Sequence, residues 1–387
     1  MKKTAPWNVL VLPAAAPAGL EINRVLGVGK EAVVYGADCA GFDRAGFHFR
    51  QLQPMPEWGD AACLPWVQRA CDAQQIAAIF PADRVAALWL AERRAQIPAT
   101  ILAPEPAALA ACATRDAMRA ALQGSVPVAP GTTDKSAQRS ARIYVVDCFT
   151  TSGGALLYAE ARAVGADGVT RPEKLAGATD WGERIGARLG LRGAWHYTVQ
   201  MERGQAADAT PVLLDIMPLL AGDAAIASAR GPNFPLLTLY DAAGYDLSVE
   251  AFAAEMPMAL CLKPRFIYDR PMTAVYMDLD ETLILRGAVN PWLVALIFQC
   301  RNRGIPVHLI TRHPGDLATT LARYRLASLF TRIIHIADRA KPKAHFIEEA
   351  DAVLIDDSFQ ERHAAVLRRG LRCFDAAGAV CLLDERL

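Results

Sequence analysis

The sequence predicts an α/β protein in three parts: an N-terminal parallel α/β domain, a central antiparallel α+β domain and a C-terminal doubly wound α/β domain. Three observations carry this. From residue 8 to about 122, short apolar runs alternate with helix-period stretches, as in strands joined by helical crossovers. From 142 to 248, apolar runs flank Ser152-Gly153-Gly154, a hairpin signature. Beyond 272, three apolar runs each end in acids or a hydroxyl.

In order, the N-terminal part reads as strand 8–12, helix 17–26, strand 31–37, helix 61–73, strand 76–81, helix 84–95, strand 99–102 and helix 104–111, with the Ala-rich region 107–121 helical. Met1-Lys2-Lys3 ahead of an apolar run imitates a secretory leader, but Asn8-Val9-Leu10-Val11-Leu12 is cut short by Pro13 and reads better as a first strand. A Gly/Pro-rich stretch, Gly124 to Gly131, and a polar run to Arg142 place a boundary near 123–141. The central part reads as strands 143–149 and 155–161, helix 180–189, then strands 194–202 and 211–218 around a turn containing Gly204. Domains are thus expected over 1–123, 142–250 and 272–387.

Composition limits the function classes. Of 387 residues, 53% are hydrophobic, so the chain can bury sizeable cores. Lys+Arg and Asp+Glu balance at 41 each, leaving no global field to recruit nucleic acid or an anionic membrane. No apolar stretch approaches the ~20 residues of a membrane span. Nine cysteines without a C-x-x-C pair suit reduced thiols in a cytoplasm.

The chemistry-bearing residues cluster in the last third. Val275-Tyr276-Met277-Asp278-Leu279-Asp280-Glu281-Thr282 brings two carboxylates and a hydroxyl to the end of a strand, with Asp278 and Asp280 on one side of it. A second run, 305–311, ends in Thr311, and a third, 351–358, ends in Asp356-Asp357-Ser358, with Lys341 and Lys343 between them. A nucleophile, a hydroxyl donor, a cation and carboxylates for Mg²⁺ are the parts of a phosphoryl-transfer site.

Over 272–387 this order resembles the haloacid dehalogenase superfamily. The resemblance implies a Mg²⁺-dependent phosphohydrolase in which Asp278 attacks phosphorus to form an aspartyl phosphate and Asp280 acts as acid and base. It also implies that Thr311 binds a phosphoryl oxygen and that Asp278, the Asp280 backbone carbonyl, Asp356 and Asp357 hold Mg²⁺. Lys343 fits the K-x-x-[FY]-I spacing, while Lys341 precedes a proline as in many members; Lys343 is preferred. Between Thr282 and Thr311 lie 28 residues, and 29 between Thr311 and Lys341, too few for a cap domain. The implied partner is a phosphorylated substrate, small or large, with hydrolase and phosphotransferase both open, and homo-oligomers are compatible.

Residues 8–248 resemble the ATP-grasp superfamily, specifically its carbamoyl-phosphate-synthase-like ligases. Ile79-Phe80-Pro81-Ala82-Asp83, Gly190-Leu191-Arg192-Gly193 through Gln200, Leu214-Asp215-Ile216-Met217-Pro218 and Gly231-Pro232-Asn233-Phe234-Pro235 follow that family in order. The family's E-x-N-x-R becomes Asp215-Ile216-Met217-Pro218-Leu219, and only a short connection stands where a phosphate-covering subdomain is expected. A thioether and an isobutyl group replace a hard oxygen ligand and a guanidinium. The expectation is a module that has lost ligation and serves as lid, binding or oligomerisation domain; an active ATP-dependent carboxylate–amine ligase and a non-catalytic scaffold are the alternatives. Asp215, Gln200 and His196 are relics, linings of a new pocket or ordinary strand residues. Asp83 and Arg84 lie at a sheet edge where ligands bind, with helix capping by Asp83 the competing reading.

Overall fold

Strand β1 (Trp7–Leu12) is almost wholly apolar because it is buried on both faces, in the middle of a five-stranded parallel sheet. Its companions are β2 (Ala32–Asp38), β3 (Gln51–Pro54), β4 (Ala78–Pro81) and β5 (Thr100–Ile101), in the order β3-β2-β1-β4-β5. The order reverses direction at β1, the topological position where such sheets open a crevice. β3 was not expected: Gln51-Leu52-Gln53-Pro54 is polar and ends in proline, which only an edge strand tolerates. The expected single helix over 107–121 is two, Pro106–Ala111 and Arg115–Ala121, because the Thr114 side chain accepts from Ala117 N and starts a second helix.

The structure is a computed structural model that describes residues 5–39, 44–130, 141–202, 211–252, 255–338 and 340–387. Most of the polar run ahead of Arg142 and the Gly204 turn lie outside these. The chain divides into two compact units, residues 1–262 with 386–387, and residues 263–385. No helix among the described residues is long and apolar enough to cross a membrane.

The first unit continues into a six-stranded antiparallel sheet of β6 (Ala141–Thr150), β7 (Leu156–Val164), β8 (Val169–Pro172), β9 (Gly193–Glu202), β10 (Val212–Met217) and β11 (Met258–Ala259), ordered β10-β9-β6-β7-β8-β11. Helix Ala178–Leu189 covers one face, packing Trp181 and Ile185 against Trp195 and Tyr197. Gly186 of that helix lets it pack closely on the sheet, since an added Cβ would sit 3.3 Å from the Trp195 ring. The other face packs Phe149 and Tyr158 against Phe234 of helix Phe234–Ala242.

Residues 263–385 build a second parallel sheet from β12 (Val275–Met277), β15 (Val307–Thr311), β16 (Arg332–His335), β17 (Val353–Ile355) and β18 (Arg372–Phe374), ordered β16-β15-β12-β17-β18. A hairpin of β13 (Ile284–Leu285) and β14 (Ala288–Val289) precedes helix Pro291–Asn302 and fills the interval before β15.

Candidate functional site

In residues 263–385 the register of three adjacent parallel strands decides which side chains meet. Met277 pairs with Leu309 on one side and with Ile355 on the other, so Asp278 and Asp356 leave the sheet side by side at its carboxyl edge. Glu281, at φ +51°, then turns the chain sharply, and the Thr282 hydroxyl accepts from Asp357 N at 3.0 Å. Carboxylate oxygens of Asp278, Asp356 and Asp357 lie within 4.8 Å of one another.

Lys343 is buried among these acids, its Nζ 2.8 Å from Asp278 Oδ1 and 2.7 Å from Asp356 Oδ2. Lys341 points away, exposed, 3.9 Å from Asp338. Of the two lysines weighed from sequence, the structure therefore places Lys343 in the cluster. Glu361 fixes it by accepting from Lys343 N at 2.7 Å while binding Arg312 Nε at 3.0 Å. Thr311 is fully buried, and its Oγ accepts from His313 N. Asp280 is not brought in: its carboxylate is half exposed and lies 3.0 Å from His313 Nδ1, whose Nε2 lies 2.9 Å from Thr320 Oγ1. His313 and Glu361 escaped sequence reasoning, because neither belongs to a strand-end pattern; only proximity in the fold marks them.

Burial pushes the Asp278 carboxyl up to about 6, even though Lys343 pulls it down. Asp356 is also raised, again chiefly by burial. Burial lowers Lys343, yet its two carboxylate partners more than offset this and leave it raised. Two buried carboxylates on one ammonium, with the exposed Asp357 carboxylate close by, leave net negative charge, which calls for a proton or a cation. Asp278 Oδ1, although ion-paired to Lys343, accepts no well-directed hydrogen bond, so a lone pair is open to a hard cation. The donor set fits Mg²⁺.

In residues 1–262 a cleft of about 190 Å³ opens at the carboxyl ends of β4 and β5. Outside the residues that line it, Arg84 follows β4 and reaches Asp215 on β10 at 3.1 Å and the Ile216 carbonyl at 2.8 Å. Asp83 caps the helix Arg84–Glu92 through Ala86 N, as the capping reading has it. His196 Nδ1 donates to the Leu219 carbonyl at 3.2 Å. Met217 and Leu219 occupy the positions named from sequence, and no oxygen ligand or guanidinium stands at either.

No family model matches the sequence. No curated protein matches it either. Among solved structures, the chain is similar to a complete multifunctional pyruvate carboxylase from Rhizobium etli, at 12% identity and a TM-score of 0.50, over 63% of this chain and 28% of that one. A biotin carboxylase from Campylobacter jejuni, solved as a βγ-ATP complex, matches at 10% identity and a TM-score of 0.49, over 63% of this chain and 73% of its own. The biotin carboxylase domain of a single-chain bacterial carboxylase matches at 13% identity and 0.48, over 62% and 68%. The chain thus spans well under a third of the length of the pyruvate carboxylase.

These neighbours overturn the dehalogenase-superfamily reading of the protein, and with it the phosphohydrolase activity and the aspartyl-phosphate intermediate built on Asp278 and Asp280. The match is larger than residues 263–385 can supply, so it draws on the two-sheet body of 1–262. The geometry adds a physical reason, since the Asp280 carboxylate expected to serve as acid and base is engaged with His313 instead of the cluster. The classification as a hydrolase falls with it. What stands is a mixed α/β fold with parallel and antiparallel sheets, similar in fold to part of that pyruvate carboxylase.

Proposed function

We propose that residues 1–262 are the body of an ATP-dependent ligase joining a carboxylate to an amine, and that residues 263–385 are an accessory Mg²⁺-holding unit. The observation that carries the ligase reading is the meeting of Arg84, which follows the parallel strand β4, with Asp215 on β10, in a body of carboxylase-like fold that also opens a cleft at the carboxyl ends of β4 and β5. Ligation of this kind moves the γ-phosphoryl group of ATP onto the carboxylate, and the amine then displaces phosphate from the acyl phosphate. The site must offset polyphosphate charge. Asp215 retains one hard oxygen for the cation, and Arg84 brings from the helix after β4 the planar guanidinium that Leu219 lacks. This revises the expectation that ligation was lost, which weighed positions 217 and 219 together with the missing phosphate-covering subdomain and named Arg84 only as a sheet-edge residue, without its pairing to Asp215. Nine free cysteines support a reducing, cytoplasmic setting.

Thermal scanning of the full chain tests the reading. Millimolar Mg·ATP on a micromolar site stabilises by about 4 kcal/mol, a shift of several degrees. Asp215→Asn and Arg84→Met are each expected to shrink the shift, judged against each variant's own ligand-free melting temperature. A wild-type chain whose melting does not move with Mg·ATP would end the proposal.

For the accessory unit, Asp278, Asp356 and Asp357, with the Asp280 backbone carbonyl, are the proposed Mg²⁺ ligands. On this reading the Thr311 hydroxyl would donate to an oxygen of a phosphorylated ligand, small or large, held together with the cation. Removing Asp356 as Asp356→Ala should weaken Mg²⁺ binding about 10–100-fold, the range reached even by losing an outer partner of a metal site. Calorimetric titration with Mg²⁺ checks this, and equal affinity in the variant would remove Asp356 from the site.

A further inference from the structure

The cleft in residues 1–262 has apolar walls and a charged mouth. Ile22, Phe80, Ile101, Leu102, Leu219 and Leu220 line the body, and its volume of about 190 Å³ exceeds the ~150 Å³ of an engineered apolar cavity that admits benzene. At the mouth stand Arg192, Ser152 and Asp241. Arg192 spends Nε on the Ser152 carbonyl at 3.1 Å and Nη1 on its neighbour Leu191's carbonyl at 2.7 Å, and it has no carboxylate partner among the described residues. Asp241 accepts from Ser152 N at 2.7 Å and from Ser152 Oγ at 3.0 Å, and it has no cationic partner among the described residues. One residue, Ser152, therefore holds a guanidinium and a carboxylate close together without letting them pair with each other.

That arrangement matches a zwitterion. An α-amino acid carries its ammonium and carboxylate on a single carbon, so their partners must lie within about two hydrogen-bond lengths of each other, with the side chain leaving in a third direction. We propose that the cleft binds a free amino acid with an apolar side chain of leucine or phenylalanine size, carboxylate on Arg192, ammonium on Asp241, side chain among the apolar walls. Apolar lining with a few convergent polar groups is the usual build of a small-molecule site. The inference deepens the ligase reading and rests on it for the fate of the amine, which on deprotonation would attack the activated carboxylate.

Calorimetry on the full chain, without nucleotide, tests the binding itself. The probes are L-leucine, L-phenylalanine, 4-methylpentanoate (no ammonium) and 3-methylbutylamine (no carboxylate). Both amino acids should bind, and each truncated analogue should bind about tenfold or more weakly, as for loss of a hydrogen bond to a charged group. Arg192→Met should weaken leucine but not the amine, and Asp241→Asn should weaken leucine but not the acid. Ala103→Phe, on the cleft wall, should weaken all four. Failure of the folded wild-type chain to bind either amino acid, or equal binding of an analogue that lacks one charge, would overturn the inference. Leucine binding without any response to Mg·ATP would support the inference while removing the ligase reading, so the two fail separately.

Discussion

Lys343→Met should destabilise residues 263–385 by about 3–5 kcal/mol at pH 7.5, the cost of stripping one partner from a buried ion pair. The lysine is 3% exposed and touches two carboxylates, one of them, Asp356, with no exposure at all. Nothing else among the described residues neutralises Asp278 and Asp356 as directly. The penalty should shrink as the pH falls. Asp278 has its folded carboxyl raised to about 6 against an ordinary value of 3.8, so the folded state holds the proton more tightly. This group's contribution to stability is therefore full below the ordinary value and is lost as pH rises toward 6, a window that Asp356, also raised, shares in direction. Melting scans of the variant at pH 5 and pH 7.5 should differ more than those of wild type, and Mg²⁺ at pH 7.5 should recover part of the loss. Lys341→Met, at an exposed position with only a 3.9 Å partner, should leave melting unchanged. If the two lysine variants melt alike, Lys343 is not the counter-charge of the cluster.

How much of this could be read beforehand varies with the physical signal. β1, β12, β15 and β17 were legible because strands buried on both faces write themselves as apolar runs, and the residues after them, Asp278, Thr311 and Asp356, fall where a parallel sheet delivers its side chains. β3 was not, being a polar edge strand, and neither was the break at Thr114, where one hydroxyl outweighs alanine's preference for helix. The sequence order of Asp280, two residues from Asp278, suggested a shared site; the turn that follows at Glu281 and the unforeseen His313 gave it a different partner. Arg84 illustrates the same limit from the other side. A motif comparison looks for the guanidinium at a fixed offset along one strand, whereas the fold brings it across 131 positions from a helix.

Arg162→Met should cost the first unit about 3–5 kcal/mol, again as a buried charge left without its partner. Arg162 on β7 is 3% exposed on its side chain and binds Asp147 Oδ2 at 2.7 Å through Nε, while Nη1 and Nη2 meet the two oxygens of Asp223 at 2.6 and 2.7 Å. Burial alone would lower its affinity for the proton, but Asp147 and then Asp223 raise it above the free value, so the guanidinium stays charged. Asp147, on β6, is itself 5% exposed on its side chain and cannot recover water when the guanidinium is gone, whereas Asp223 at 32% can. The largest part of the loss should therefore come from Asp147, and Arg162→Met combined with Asp147→Asn should be more stable than Arg162→Met alone. A double-mutant cycle on melting temperatures measures that coupling, with single-variant shifts on the order of 10 °C for a unit of this size. The network also bears on the cleft. Asp223 lies just past Pro218, Leu219 and Leu220, which form one of its walls, so Arg162 ties that wall to the sheet. The Arg162→Met chain should bind leucine more weakly even at temperatures where it remains folded. A variant that melts like wild type would show that the pair to Asp147 contributes little and that the wall is held by apolar packing alone.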